Sequence, residues 1–375
     1  MKVLIPTQSH DVHAKAVASA LATKGHEAVL WYASDLPTQQ TLSLSYKGSS
    51  EAQLELQGVD INHHGAFDVV WLRRPASPVL PSTMHPGDHT FAVQEWRSVL
   101  EGVWDTLSRT GFWINPRSAA RRAESKPAQL AAARRVGLDV PPTLLSNDPQ
   151  RIRSFIRANE PTQTIYKPFA TSQWDLGDGA AAYLFTAVVD EDALPSDEIL
   201  RLTPGIFQPR LAKDHELRVT FMGDHVFVAK IGSQAVDGAE VDWRIKTRSV
   251  ATEVGVLPAG VEAACRALMR TFGLVFACFD FIVTPENNHV FLEVNQMGQF
   301  LWLEELAPEM PLLDAFCELL IQGRPDFQWR APRPNEGLRF KDFCDEAVHT
   351  AIDERHVDRP HVFLLPDEPR GDAAA

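Results

Sequence analysis

The chain has 375 residues, 45% of them hydrophobic and 23% charged, with a formal net charge of −13. That length and balance suit a soluble protein of two or three packed lobes with a sizeable core. The acidic excess argues against a general nucleic-acid surface, because phosphate backbones call for a basic field, and no apolar run approaches the roughly 20 residues of a membrane span.

In chain order, "KVLIP" reads as a short strand. "DVHAKAVASALATKG", with Gly25 at its end, reads as a helix, and "EAVLWY" as a second strand. "FDVVWLRRP" (67–75) is a third buried strand ending at two arginines and a proline, a helix covers about 88–110, and "GFWINP" closes a first lobe before Pro116. An Ala-rich helical stretch from Arg117 to Gly137 carries Lys126. "QTIYKPF" and "GAAAYLFTAVV" read as two strands joined by the loop "ATSQWDLGDG", which holds Gly177 and Gly179. Strands follow in "GIFQPRL" and "HELRVTFMGDHVFVAKIGS", where "MGDH" signals a hairpin turn. A helix at about 258–272, strands at 275–283 and 289–295, and a helix near 311–322 complete the pattern. Beyond it, one helix is expected around Phe340 to Arg355, and the final dozen residues read as a disordered tail. The expected divisions are 1–116, 117–204, 205–328 and an extension at 329–375.

Cys265, Cys278, Cys317 and Cys344 show no metal-ligand spacing, and "MKVLIPTQSH" lacks the apolar core of a signal peptide, so a cytoplasmic protein with reduced thiols is expected.

The chemistry concentrates in "FLEVNQMGQFLWLE" (291–304). Residues two apart in a strand point the same way, about 6 to 7 Å from each other, so Glu293 and Asn295 present oxygens to one place. The preceding strand, "FACFDFIVT", adds Asp280 among apolar neighbours. A buried carboxylate needs something positive beside it. Hard oxygen donors without His or Cys suit Mg²⁺; arginines in structural salt bridges would satisfy the same groups, and the two strands alone do not choose. Lys126 and Lys167, the latter in "YKPF" just before the glycine-containing loop, supply cations, although a lone lysine is ordinarily a solvated surface residue. Backbone N–H groups of such a loop can approach phosphate oxygens. Its aspartates would repel phosphate, so it reads as a lid rather than a cradle.

The ordered set "INP…K", "YKPF", "FQPRL", "ELRV", "FDFIV" and "FLEVNQMGQFLWLE" resembles the ATP-grasp superfamily. With "WLRRP", "AKIGSQ", "DWR" and "GQFLWLE" it resembles, within that superfamily, the graspetide (microviridin-type) peptide synthetases, from the N-terminus to about residue 325. The resemblance implies an α/β ATP-grasp fold with an N-terminal pre-ATP-grasp domain, a central lobe and a C-terminal ATP-binding lobe. It implies ATP and two Mg²⁺ ions as cofactors. Lys126 and Lys167 would bind the phosphates; Gln208, Pro209, Arg210 and Leu211 would line the adenine pocket, with Glu216 in support; Asp280, Glu293 and Asn295 would hold Mg²⁺. Arg218 and Arg244 would face the transferred phosphoryl group, with Lys230 assisting, and Arg73, Arg74 and Asp242 would meet the substrate. Glu216 and Lys230 read equally well as cross-strand charge partners, and Arg73 and Arg74 as a pair that stabilises a sheet edge. Gln296 stands where many relatives have proline.

The implied substrate is a ribosomal precursor peptide with a leader and an acidic core. Its Asp or Glu side chains would be activated as acyl phosphates and captured by Ser or Thr hydroxyls or Lys amines. Two other readings are an amino-acid ligase of the ribosomal-modification type and a non-catalytic ATP-binding module. A symmetric dimer is the default expectation for an enzyme of this size.

Overall fold

A computed structural model describes residues 1–46, 48, 52–109, 111–169, 173–177, 180–183, 185–247, 249–333, 336–349, 353–357 and 362–363. Strand β1 (Lys2–Pro6) leads to helix α1 (Val12–Thr23), which is capped by Asp11 accepting from the Ala14 N–H, and then to β2 (Glu27–Trp31). A three-stranded antiparallel meander follows: β3 (Gln40–Ser45), β4 (Gln53–Gly58) and β5 (Ile61–His64). The sequence reading leaves these strands out, although Leu42 and Leu44 alternate opposite Leu56 and Leu54 in the way that half-buried strands do. Next come β6 (Val69–Trp71), the long helix α2 (Pro86–Ser108) and β7 (Phe112–Ile114). The first sheet is parallel in the order β2-β1-β6-β7.

The Ala-rich stretch forms two helices rather than one, α3 (Arg117–Glu124) and α4 (Lys126–Arg135). Ser125 interrupts them because it serves as the N-cap of α4, accepting from the Ala128 N–H, with proline in the first turn. Strand β8 (Leu144–Ser146) precedes α5 (Pro149–Asn159), a helix the sequence reading omits although Asp148 and Pro149 form a clear cap and first turn. Strand β9 (Thr164–Lys167) follows. The expected loop after it contains β10 (Gln173–Gly177), which pairs with β11 (Ala180–Tyr183); Gly179 lies outside the described residues. The run read as one strand from 179 onward is therefore divided, its second half forming β12 (Ala187–Val189) in a different sheet. After α6 (Asp197–Leu202), β13 (Gly205–Pro209) completes a sheet in the order β12-β9-β13-β8.

The C-terminal sheet has the order β16-β15-β14-β17-β18 and is antiparallel throughout. Its members are β14 (His215–Met222), β15 (His225–Ile231), β16 (Thr252–Val254), β17 (Phe276–Val283) and β18 (His289–Asn295). Helix α7 (Ala259–Phe272) ends at Gly273, whose φ of 79° suits glycine. With α3 and α4 it covers one face of this sheet, where Leu217, Val219, Phe221, Phe279, Phe281, Phe291 and Val294 form one apolar core. The opposite face carries the site around Arg218, Asp280 and Glu293, while Met222, Ala229, Phe276 and Cys278 on the same face enter a second apolar core.

After the short α8 (Leu303–Leu306), helix α9 (Leu312–Gln322) packs in a second core with α1, β1 and Phe276, joining the first and last sheets. The extension crosses back over α1 as α10 (Lys341–His349), and β19 (Val362–Phe363) lies beside β11. The final dozen residues, expected to be a tail, lie outside the described residues.

Candidate active site

The register of three strands builds the site. Arg218 on β14 sits opposite Asp280 on β17, and Asp280 opposite Glu293 on β18. Cross-strand partners point to the same face, so the three side chains meet. Between Asp280–Glu293 and Phe281–Phe291 the register shifts, leaving Leu292 as an extra residue. This β-bulge lets Phe291 face the apolar core while Glu293, two residues on, faces the site. Simple alternation would put both on one face, so the sequence does not reveal the bulge.

Arg218 donates through Nη1 to both oxygens of Asp280, at 2.8 and 2.7 Å, and through Nη2 to the Gln299 carbonyl at 3.1 Å. Its Nε is buried without a hydrogen-bond partner. The Asn295 amide nitrogen lies between the two carboxylates, 3.1 Å from Glu293 Oε1 and 3.4 Å from Asp280 Oδ2. Lys126, in the first turn of α4, forms an ion pair with Glu293. Burial favours the neutral form of Glu293, but Lys126, Arg244 and Asn295 outweigh it and hold its carboxyl well below the usual range. Burial pushes Asp280 upward, opposed by Arg218 and reinforced by the Glu293 charge. The converging oxygens are those of Asp280 and Glu293, with the Asn295 amide beside them and no His or Cys among the three, a donor set that fits Mg²⁺.

Around this centre lie further cations. Lys167, at the end of β9, is electrostatically coupled to Glu293, Arg244, Lys213 and Asp242; burial lowers its pKa, with Glu293 pulling the other way. Among the described residues it has no ion pair. Arg244, half-exposed, donates through Nε and Nη2 to Asp242 at 2.7 and 2.6 Å. Lys213 bonds Glu216 at 2.8 Å and the Val241 carbonyl at 3.0 Å. Sequence reasoning missed Lys213. The signal available was its place three residues before Glu216.

Several sequence expectations change. Lys230 does not reach the site: the two-residue turn at Gly223–Asp224 pairs it with Leu217, on the opposite face, where it contacts Glu253 at 3.1 Å. Arg73 is 1% exposed and cannot meet a substrate from this position. It pairs with Asp11 at 3.0 Å and donates to the carbonyls of Met297 and of Gly298, the latter at 3.0 Å, so the stabilising reading holds for it. Arg74 is half-buried beside it. Asp242 is buried, caps the turn at Trp243–Lys246 and holds Arg244. Glu216 is closed by Lys213 and by Ser233 Oγ at 2.9 Å. Gln208 is buried on β13 and donates to Thr143 at 2.9 Å, with Pro209, Arg210 and Leu211 following it out of the strand; Arg210 bonds Gln163 at 2.6 Å. Gln296 is buried and donates to Glu124 at 3.2 Å.

The chain after the site strand is gripped by side chains. Asn115, from "INP", donates to the Gln296 carbonyl at 2.7 Å and accepts from the N–H groups of Val275 and Phe276. Gly298 lies so close to β17 that a Cβ there would stand 2.3 Å from Cys278 Sγ.

Comparison with known proteins agrees with this fold. Residues 2–121 match the MvdD pre-ATP grasp domain. The fold is similar to that of the macrocyclase MdnC from Microcystis aeruginosa MRC, solved bound with the precursor peptide MdnA: 29% identity, TM-score 0.75, covering 86% of this chain and 100% of that one. It is similar to a Chryseobacterium gregarium RiPP-associated ATP-grasp ligase solved with ADP and a leader and core peptide, at 26% identity and TM-score 0.75 over 86% of this chain and 97% of that one. It is also similar to the macrocyclase MdnB from Microcystis aeruginosa MRC, at 28% identity and TM-score 0.72 over 85% and 99%. The sequence matches no curated protein. The chain is an ATP-dependent ligase of the ATP-grasp superfamily. Within that superfamily it resembles the graspetide-type, RiPP-associated ligases and macrocyclases.

Proposed function

We propose that this ligase modifies a ribosomal precursor peptide, using ATP and Mg²⁺ to activate Asp or Glu side chains and joining them to Ser or Thr hydroxyls or Lys amines. The observation that carries the reading is Lys167: a partly buried cation with no ion pair among the described residues, set beside a carboxylate pair and two further cations. Such a site is short of an anion, and a triphosphate supplies one. The similar ligase from Chryseobacterium gregarium was solved with ADP and peptide, and MdnC with its precursor, which supports both parts of the proposal.

Asp280, Glu293 and Asn295 would hold the magnesium, which when bound neutralises phosphate charge. Lys126 and Lys167 bind and orient the phosphates. Gln208 and the backbone of Pro209 to Leu211 line the adenine side, with the buried Glu216 fixing Lys213 behind it. Arg218 orients Asp280, and Arg244, held by Asp242, extends toward the reacting carboxylate. Positioning and charge neutralisation supply the rate, so no protein nucleophile is required.

In balance, the peptide carboxylate takes the terminal phosphoryl group and ADP leaves. The hydroxyl or amine then bonds to the acyl carbon, loses its proton and expels phosphate. The peptide loses one water for each link formed. Mass spectrometry after incubation with ATP, Mg²⁺ and a precursor carrying a leader and an acidic core tests this. Loss of water supports cyclisation, an added residue mass would indicate amino-acid ligation, and an unchanged mass would reject both.

A further inference from the structure

Strand β18 is the outermost of its sheet, so one row of its backbone groups has no neighbouring strand. Two elements cover that edge, one on each side of the bulge at Leu292. Before it, the Phe291 N–H donates to the Asp139 carbonyl at 2.8 Å. After it, Gln129 grips both backbone groups of Val294: Oε1 accepts from the N–H at 3.0 Å and Nε2 donates to the carbonyl at 2.9 Å. Nε2 also donates to the Ala123 carbonyl at 2.6 Å, which ties the amide to the end of α3. The side chain is 2% exposed. Val294 lies between Glu293 and Asn295, and Gln129 sits one helical turn after Lys126, the partner of Glu293.

We infer that Gln129 is a positioning residue that fixes the bulged register of β18, so that Glu293 and Asn295 both face the site. The bulge is what separates Phe291 from Glu293, and with no strand beyond β18 the outer side of the residues after the bulge is held by Gln129. The amide takes the part of an absent strand at the one residue flanked by both side chains. Asn115 and Arg73 grip the chain further on and do not constrain the residues between Leu292 and Asn295. The inference rests on the functional reading above, in which these two side chains hold magnesium.

The test uses the full chain and two variants. Gln129→Leu keeps the volume and loses every hydrogen bond; Gln129→Glu keeps the acceptor for the Val294 N–H and loses the donor to the two carbonyls. Calorimetric ADP binding is measured against Mg²⁺ concentration, and Mn²⁺ binding to the ADP complex by electron paramagnetic resonance. The half-saturating metal concentration should rise about tenfold or more in Gln129→Leu, as for other residues that orient metal ligands. Gln129→Glu should fall between that variant and the wild type, and ADP binding without metal should be unchanged. A residue serving only to pack helix against sheet would lower the melting temperature and leave the metal dependence alone. That result in either variant overturns the inference, as does failure of both to fold. A wild type that binds ADP with no dependence on metal would overturn the functional reading itself, and is recognised before any variant is made.

Discussion

The charges on the site face and the charges that fasten the C-terminal segment both gather in clusters that mix buried and exposed groups, yet their accounts close differently. At the fastening, Asp35 accepts from His356 Nδ1 at 2.7 Å and from the Val357 N–H at 2.9 Å. Arg355 spans Asp60 at 2.9 and 2.8 Å and also reaches Asp353 at 2.6 Å. Asp60, Asp353 and His356 bring ligand atoms within 4.8 Å of one another, but the guanidinium already joins the two carboxylates. Every charge there is answered from within the chain. On the site face, Lys167 has no ion pair among the described residues, Arg218 Nε is buried without a partner, and Arg244 is half-exposed. A satisfied polar network holds parts together; one left short of an anion is built to receive one.

Breaking the site pairs should cost most. In Asp280→Ala the buried Arg218 loses its bidentate partner, so ATP-dependent turnover should fall at least about a hundredfold, and unfolding in urea should show a loss of about 3 to 5 kcal/mol. Retained turnover would sink the assignment of this carboxylate. Lys167→Met sharpens the contrast, since nothing described in the folded chain depends on that charge. Nucleotide affinity should drop about tenfold to a hundredfold, the worth of a hydrogen bond to a charged group, while the melting temperature holds or rises. A large drop in stability with unchanged affinity would place Lys167 in the fastening class instead.

Glu304 offers a pH test at the other cluster's border. Its Oε1 accepts from the Leu313 N–H at 2.6 Å and its Oε2 from the Phe340 N–H at 2.7 Å, so it anchors the extension to α9. Burial pushes its carboxyl up from 4.5 to about 7, against those two N–H groups. A raised acid favours the folded state most when protonated in both states, below pH 4.5, and the advantage is lost as pH climbs to about 7. Over that window the contribution to stability should fall by about 3 kcal/mol at most. Denaturant titrations at several pH values should show the slope, and Glu304→Gln should flatten it. The smallest effect is expected at Lys230, whose half-exposed pair with Glu253 lies on the other face. Lys230→Ala should change stability by less than about 1 kcal/mol and leave turnover intact; a collapse of activity would mean that the face assigned to it is wrong.

Much of this was legible in the residues. The alternating runs around Asp280 and Glu293, the "MGDH" hairpin and the order of lysines before them are local patterns, set by side-chain period and turn chemistry. Of the two readings open for Lys230, the cross-strand charge partner could have been preferred from the sequence, because a two-residue turn dictates which residues face each other. The meander at Gln40–His64 and the helix at Pro149–Asn159 also carried readable signals.

The sequence by itself determined which residues could offer oxygens and positive charge, and roughly which strands would carry them, since those properties depend on residue type and near neighbours. Tertiary structure alone decided that Leu292 bulges, that Gln129 completes an edge from a distant helix, that Arg73 is sealed between two sheets, and that Lys167 is left over when the other cations have paired. Facing, burial and pairing are properties of segments that meet only in the folded chain: Gln129 lies 165 residues from Val294, and Arg218 lies 62 from Asp280, so side-chain type and near neighbours do not fix them.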